Sequence, residues 1–198
     1  MSAVRKLLFI ALANFLLYTT AIGQKNASPK MVKISSALRA GLLNGQVNKA
    51  GSELQVVSGI NFKTWFTGLG AGIDYYSNSK SIPLFIDIRK DLKESESTFF
   101  INGDVGYNLP LRPNDKSNQS WIRYDFEGGL YYELGAGYKF ILTKSLALAL
   151  SAGYSYKNFK EKDSAYYGIG PFDQPLPPTV DIYDYKFRRL SIKLAFWF

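Results

Sequence analysis

Apolar and polar residues alternate with period two in eight separate stretches of this chain, from about residue 33 to its last residue. Alternation of that kind marks strands with two unlike faces. Residues 33–43 place Ile34, Ser36, Leu38, Ala40 and Leu42 on one face, and residues 53–60 place Leu54, Val56 and Ile60 together. In 64–76, Trp65, Leu69, Ala71, Ile73 and Tyr75 oppose Gly68, Gly70, Gly72 and Asp74. Segment 82–89 is the clearest: Ile82, Leu84, Ile86 and Ile88 alternate with Pro83, Phe85, Asp87 and Arg89. In 99–109, Phe99, Ile101, Val105, Tyr107 and Leu109 face away from Asn102, Asp104, Gly106 and Asn108. In 129–140, Leu130, Tyr132, Leu134, Ala136, Tyr138 and Phe140 oppose Tyr131, Glu133, Gly135, Gly137 and Lys139. Segments 145–157 and 185–198 continue the pattern, the last with Leu190, Ile192, Leu194, Phe196 and Phe198 against Arg189, Ser191, Lys193, Ala195 and Trp197.

Charge falls on one face only. The apolar faces carry none, whereas the opposite faces carry Arg39, Asp74, Asp87, Arg89, Asp104, Glu133, Lys139, Arg189 and Lys193. The connectors differ in length: 61–63 and 141–144 are tight, 110–125 is long, and 158–184, rich in Pro, Gly, Asp and Tyr, is the longest. Short turns at one end and longer loops at the other are the habit of transmembrane barrels. The fold expected is therefore all-β, an eight-stranded antiparallel up-and-down transmembrane β-barrel. A closed barrel leaves no strand edge unpaired, so its backbone can cross hydrocarbon.

Period two alone does not say which face points out, and a soluble lipocalin-like barrel would have its apolar face inside. Three features favour the membrane arrangement. Aromatic residues gather near strand ends, as at Trp65, Tyr75, Tyr107, Tyr138, Phe140, Tyr154, Tyr156, Phe196 and Phe198, where an interfacial girdle would sit. Glycines fall on the polar face, where a narrow interior needs room. The chain also ends on an apolar-face Phe.

Composition narrows the chemistry. The chain has 198 residues, 16% of them aromatic, with neither Cys nor His. Thiolate nucleophiles, disulfides, Cys/His zinc sites and Ser-His-Asp arrangements are thereby excluded. No catalytic, cofactor or metal residues are assigned, and no enzymatic role is expected. The +8 net charge, +6 without Arg5 and Lys6, suits an anionic partner such as lipid phosphate. Past residue 6 no run of basic residues exceeds Arg188-Arg189, so no nucleic-acid partner is expected.

Residues 1–23 read as a cleaved signal peptide. Arg5 and Lys6 precede an apolar run over 7–18, and Ala21 and Gly23 are the small residues before a cut at Gln24. Residues 24–32 form a periplasmic lead-in, and 33–198 the barrel. The expected location is the cell outer membrane.

The tail from Arg188 to Phe198 resembles the C-terminal assembly signal of bacterial outer-membrane proteins. That resemblance implies that Leu190, Ile192, Leu194, Phe196 and Phe198 are read by the barrel-assembly machinery, with outer-membrane lipid as the other partner. The stretches 68–75 and 82–89 look like the small outer-membrane barrels common in Bacteroidetes. No peptidoglycan-binding domain is expected after the barrel, so the chain is more similar to a lone barrel of the OmpX kind than to the two-domain OmpA plan. Lipases, acyltransferases and proteases on this fold rely on a His that this chain lacks.

Two motifs have a chemical and a structural reading. Gly68-x-Gly70-x-Gly72 could suggest a phosphate loop, but that loop must open a helix, and here strand alternation runs straight through. Asp87 with Arg89, and Glu133 with Lys139, could be catalytic carboxylates with modulators. The favoured reading is a lumen charge network of Arg39, Asp74, Asp87, Arg89, Asp104, Glu133, Lys139 and Lys193, because charges in a narrow interior must be paired. Trp121, Tyr124, Tyr166, Tyr167 and Phe172 fall in the long connectors, as binding anchors or as the packed interior of a large loop.

The function expected is a structural or surface-interaction barrel with a lumen filled by side chains and external loops as its contact surface. A narrow channel or small-ligand carrier is the alternative, kept open by small inward residues such as Ala147, Ala149 and Gly153. The loop partner is not named by the sequence.

Overall fold

The computed structural model describes residues 32–45, 50–76, 79–95, 97–111, 122–143, 145–165 and 179–198. The strands are β1 (Val32–Gly45), β2 (Gly51–Phe62), β3 (Trp65–Tyr75), β4 (Lys80–Asp91), β5 (Ser97–Leu111), β6 (Ile122–Thr143), β7 (Leu146–Ala165) and β8 (Thr179–Trp197). They follow one another in chain order around a closed barrel, and every neighbouring pair is antiparallel. β8 closes on β1 from Ala37↔Trp197 to Gly45↔Arg189. Reciprocal backbone hydrogen bonds of 2.8 and 2.9 Å between Ser36 and Phe198 finish the seam. The eight-stranded up-and-down barrel read from the alternation is the fold observed. The expected signal peptide and most of the expected lead-in lie outside the described residues, and β1 opens at Val32.

The alternation sets which residues are covered. In β4, Ser81, Pro83, Phe85, Asp87, Arg89 and Asp91 are buried inside, while Leu84, Ile86 and Ile88 are exposed outside. The same parity holds in the barrel portion of every strand. An apolar cluster of Ala37, Val57, Phe66, Phe85, Phe100, Tyr131, Ala149, Ala195 and Trp197 therefore sits within the barrel. Outside, among the described residues, no charged residue interrupts the wall between Lys90 at one end and Lys80 and Arg188 at the other. Aliphatic residues such as Leu69, Ile86, Leu134, Leu150 and Ile192 occupy the middle of that belt. Exposed aromatics border it, Phe62, Trp65, Phe99, Phe140 and Phe196 below and Tyr75, Tyr107 and Tyr154 above.

Local chemistry explains two irregularities. The β3–β4 ladder is interrupted between Ala71↔Leu84 and Asp74↔Ser81 without a change of register. Pro83 lies in that gap and has no N–H to give. At the two-residue turn between β2 and β3, Lys63 takes a left-handed backbone, with φ of 54°, as tight hairpins demand. Gly70 gives the interior room: a Cβ there would collide with the Phe85 ring.

The structure corrects the connectors in one region. β6, β7 and β8 have 22, 20 and 19 residues, whereas β1 to β5 have 11 to 15. Residues 122–125, 158–165 and 179–184, expected in the long loops, are instead strand, as are 126–128, which lay between the expected loop and the expected sixth strand. They form a three-stranded extension above the barrel, beyond the last β5–β6 pair at Asn108↔Gly129 and the last β1–β8 pair at Gly45↔Arg189. A register shift in β6 between Gly128 and Tyr131 marks the point of departure, as bulges do at sheet boundaries. No apolar outer face signals these stretches. Their outer face instead sets opposite charges side by side, Glu127 opposite Lys160 opposite Asp184, and Asp125 opposite Lys162, an arrangement that favours pairing.

Candidate functional site

The lumen is built in layers from inward positions of all eight strands. At the short-turn end, the guanidinium carbon of Arg89 lies over Trp197, 3.8 Å from the ring centre, and also faces the rings of Phe66 and Phe100 at 5.4 and 5.5 Å. Phe66 meets Trp197 edge-on at 4.9 Å. A cation against several aromatic faces, shielded from water, is held strongly. Below this layer Asp91 receives both Lys139 and Arg89, the latter at 3.3 Å. A vestibule of about 240 Å³ at this end, bordered by Lys33, Lys63 and Lys139, is bounded by Arg89 and Trp197.

Above the aromatic layer Arg39 reaches across to Asp87 and lies 3.5 Å from Asp104. Tyr131, fully buried and edge-on to Phe85 at 5.2 Å, donates toward Asp104 and Glu133, both at 3.3 Å. Lys193 joins Glu133 at 2.8 Å and Glu53 at 3.4 Å, and donates to Gln55 at 3.1 Å. Ser191 donates to Glu133 at 2.9 Å. Lys157 closes the network, 2.7 Å from Asp74 and 3.3 Å from Glu53. Arg39, Lys157, Lys193, Glu53, Asp74, Asp87, Asp104 and Glu133 are all buried. Each charge has an opposite charge within reach, which is what such a narrow interior requires.

All eight residues named for the lumen network face inward: Arg39, Asp74, Asp87, Arg89, Asp104, Glu133, Lys139 and Lys193. Their partners are not the neighbours in sequence. Asp87 is met by Arg39 as well as lying near Arg89 in its own strand, Glu133 by Lys193, and Lys139 by Asp91. Sequence reasoning missed Glu53, Asp91 and Lys157, which hold the network together. The signal was present, since Glu53 shares parity with Gln55, Lys157 with Ser155, and Asp91 with Arg89. Each stood at or past an expected strand end.

At the opposite mouth, aromatic rings line the inner face of the extension. Tyr76 stacks on Phe187 at 4.6 Å, and Phe159 stacks on Tyr185 and Phe187 at 4.9 and 5.5 Å. Arg189 lies 4.9 Å over Tyr76, and Tyr185 donates to Glu161 at 3.1 Å. Tyr124 corrects an expectation: it stands in β6, opposite Asp163, and not in a loop. The other candidate loop contacts, Trp121, Tyr166, Tyr167 and Phe172, lie outside the described residues. Leu190, Ile192, Leu194, Phe196 and Phe198 point outward and are exposed along the last strand. Among the described residues no group of acidic side chains is arranged to hold a metal ion.

No protein-family model matches the chain, and no curated protein matches it. Among solved structures, the fold resembles the outer membrane protein OprG from Pseudomonas aeruginosa, at 13% identity over 84% of this chain and 95% of that one, with a TM-score of 0.52. Neisserial surface protein A is similar over 84% of this chain and 96% of its own, at 12% identity and a TM-score of 0.47. The outer membrane protein AlkL covers 89% of this chain and 94% of its own, at 13% identity and a TM-score of 0.47. At these identities the likeness is one of fold.

Proposed function

We propose that this chain is an outer-membrane protein that crosses the bilayer as a closed barrel with a filled lumen and makes its functional contacts at the surface, through the β6–β8 extension. The uncharged belt bordered by aromatic residues supports the membrane placement, because hydrocarbon accepts that wall and water does not. The observation that carries the functional reading is the lumen. Charge pairs and the Arg89–Trp197 layer occupy it from Asp91 to Asp74, so solute passage is not what this interior is built for. The extension offers exposed Ile182 and Tyr183 above the belt. In this reading the short turns face the periplasm, residues 1–23 export the chain, and Leu190, Ile192, Leu194, Phe196 and Phe198 serve its assembly. No catalytic role is assigned, since a chain without His or Cys lacks the usual nucleophile and base pairs.

A narrow channel is the second reading. Asn102, Asn108 and Ser155 favour it: they point into the lumen side of β5 and β7, and their side chains hold buried atoms with no protein partner. Conductance in planar bilayers separates the two. The filled barrel gives none or brief small events, and a large steady conductance from the unaltered protein would overturn it.

A further inference from the structure

The outward glycine of β5 points to a second site. The glycines of β3 lie on the inward face, but Gly103 of β5 stands on the outer wall, between Ile101 and Val105 and opposite Ile88 and Leu134. A Cβ there would meet only Leu134 Cδ2, at 3.3 Å, and the Glu133 carbonyl oxygen, at 3.9 Å. The interior therefore does not demand a glycine. Its effect is external, a groove of about 660 Å³ walled by Ile88, Ile101, Val105, Tyr132 and Leu134.

The lower end of this groove is not apolar. Lys90 and Trp65 border it. The Lys90 ammonium sits 4.6 Å over the Trp65 ring and donates to Thr64 Oγ1 at 2.5 Å. Among the described residues no carboxylate lies within ion-pair distance of it. Lys33, Lys63 and Lys93 are exposed at the same end of the barrel. An apolar channel that ends on a positioned cation, beside an interfacial tryptophan, has the form of one lipid: a chain in the groove and a phosphate on the lysine.

We propose that the groove at Gly103 is a binding seat for an anionic glycerophospholipid of the periplasmic leaflet, with an acyl chain along Gly103 and the phosphate on Lys90. This rests on the membrane reading above. A second copy of the chain is the competing occupant, and the charge at the groove's end argues for the lipid.

The test uses the full mature chain in phosphatidylcholine vesicles holding a minor fraction of phosphatidylglycerol with brominated acyl chains. Trp121 is replaced by Phe, and Trp197 is buried in the lumen, so Trp65 is the reporter. Quenching should match a local phosphatidylglycerol level about fivefold above its mole fraction, the ratio that roughly 1 kcal/mol per basic residue gives. Gly103→Leu, which fills the groove, and Lys90→Gln should each bring it back to the mole fraction. Quenching in the parent protein that follows the mole fraction would overturn the lipid seat. So would disulfide cross-linking between copies of the Gly103→Cys variant together with unchanged enrichment in both variants. Vesicle flotation is run first. A chain that fails to float overturns the membrane reading, and a chain that floats without enrichment overturns only this inference.

Discussion

Ile86 and Asp87 are consecutive in β4, yet they face different surroundings. Ile86 is 47% exposed on the outer wall and Asp87 is fully buried against Arg39. The difference comes from the pleat, which sends successive side chains to opposite faces. It inverts the usual soluble arrangement: polar groups are sequestered and the aliphatic ones are displayed. Such a wall is stable only where its outside meets hydrocarbon, and its inside only where every charge meets another. The two faces should therefore fail in different ways, and substitutions on each can expose the difference.

The largest effect is expected inside. Arg39→Met removes the cation that, among the described residues, lies within ion-pair distance of Asp87 and Asp104. An uncompensated buried charge costs about 3–5 kcal/mol, read as a fall in unfolding free energy of the protein in lipid vesicles. Adding Asp87→Leu to that variant should recover part of the loss, because a pair replaced by apolar groups leaves less charge stranded. A single variant as stable as the parent would mean that the lumen is wet and the network screened.

Outside, the mirror experiment is Ile86→Arg. A cation on the lipid face near mid-bilayer costs about 2–4 kcal/mol, by the same unfolding measurement. No change there would argue that the outer face meets water, and with it that the belt is not a membrane belt.

The assignment of faces was legible in the sequence because period two is unforgiving: a one-residue error would have placed Asp74, Asp87 or Glu133 on the outer wall. The pairing of the charges was not legible. Arg39 meets Asp87 and Lys157 meets Glu53 across the lumen, between residues 48 and 104 positions apart in sequence, and such contacts depend on how strands stagger around the ring. The extension was missed because its strands alternate aromatic with charged residues, as in Tyr124, Asp125, Phe126 and Glu127, so composition read as loop what cross-strand charge holds as sheet. Gly103 corrects the expectation that glycines fall on the polar face: it stands outward beside Leu134, and only that surrounding wall shows the groove it leaves.

A smaller inside effect is expected at Arg89. Removing it by Arg89→Ala takes the cation from between Trp197, Phe66 and Phe100, but Asp91 keeps Lys139. No carboxylate is left alone, so the loss should be about 2 kcal/mol, the worth of a shielded cation over aromatic rings. The aromatic layer also stays, so at most a small conductance should appear. A loss as large as that of Arg39→Met would show that Asp91 depends on Arg89 more than on Lys139. A large steady current would show that Arg89 alone was the seal.

The smallest effect marks where the contrast between faces ends. Ile182 and Ile192 lie on the same strand and the same outward parity, and they are similarly exposed, at 66% and 58%. Exposure alone would make them equivalent. Their neighbours do not: Ile192 pairs with Ala152 and Leu42, within the belt, whereas Ile182 pairs with Lys162, on the charged outer face of the extension. If the belt meets hydrocarbon, Ile192 is solvated by lipid and Ile182 by water. Ile192→Ser should then cost about 1.5–3 kcal/mol, the transfer value of an aliphatic side chain. Ile182→Ser should stay within about 0.5 kcal/mol, as surface substitutions do. Equal losses would carry the bilayer up over the extension and remove it as a water-exposed contact surface. Two negligible losses would instead mean that Ile192 meets water as Ile182 does, and the barrel would have to be assigned to a different solvent.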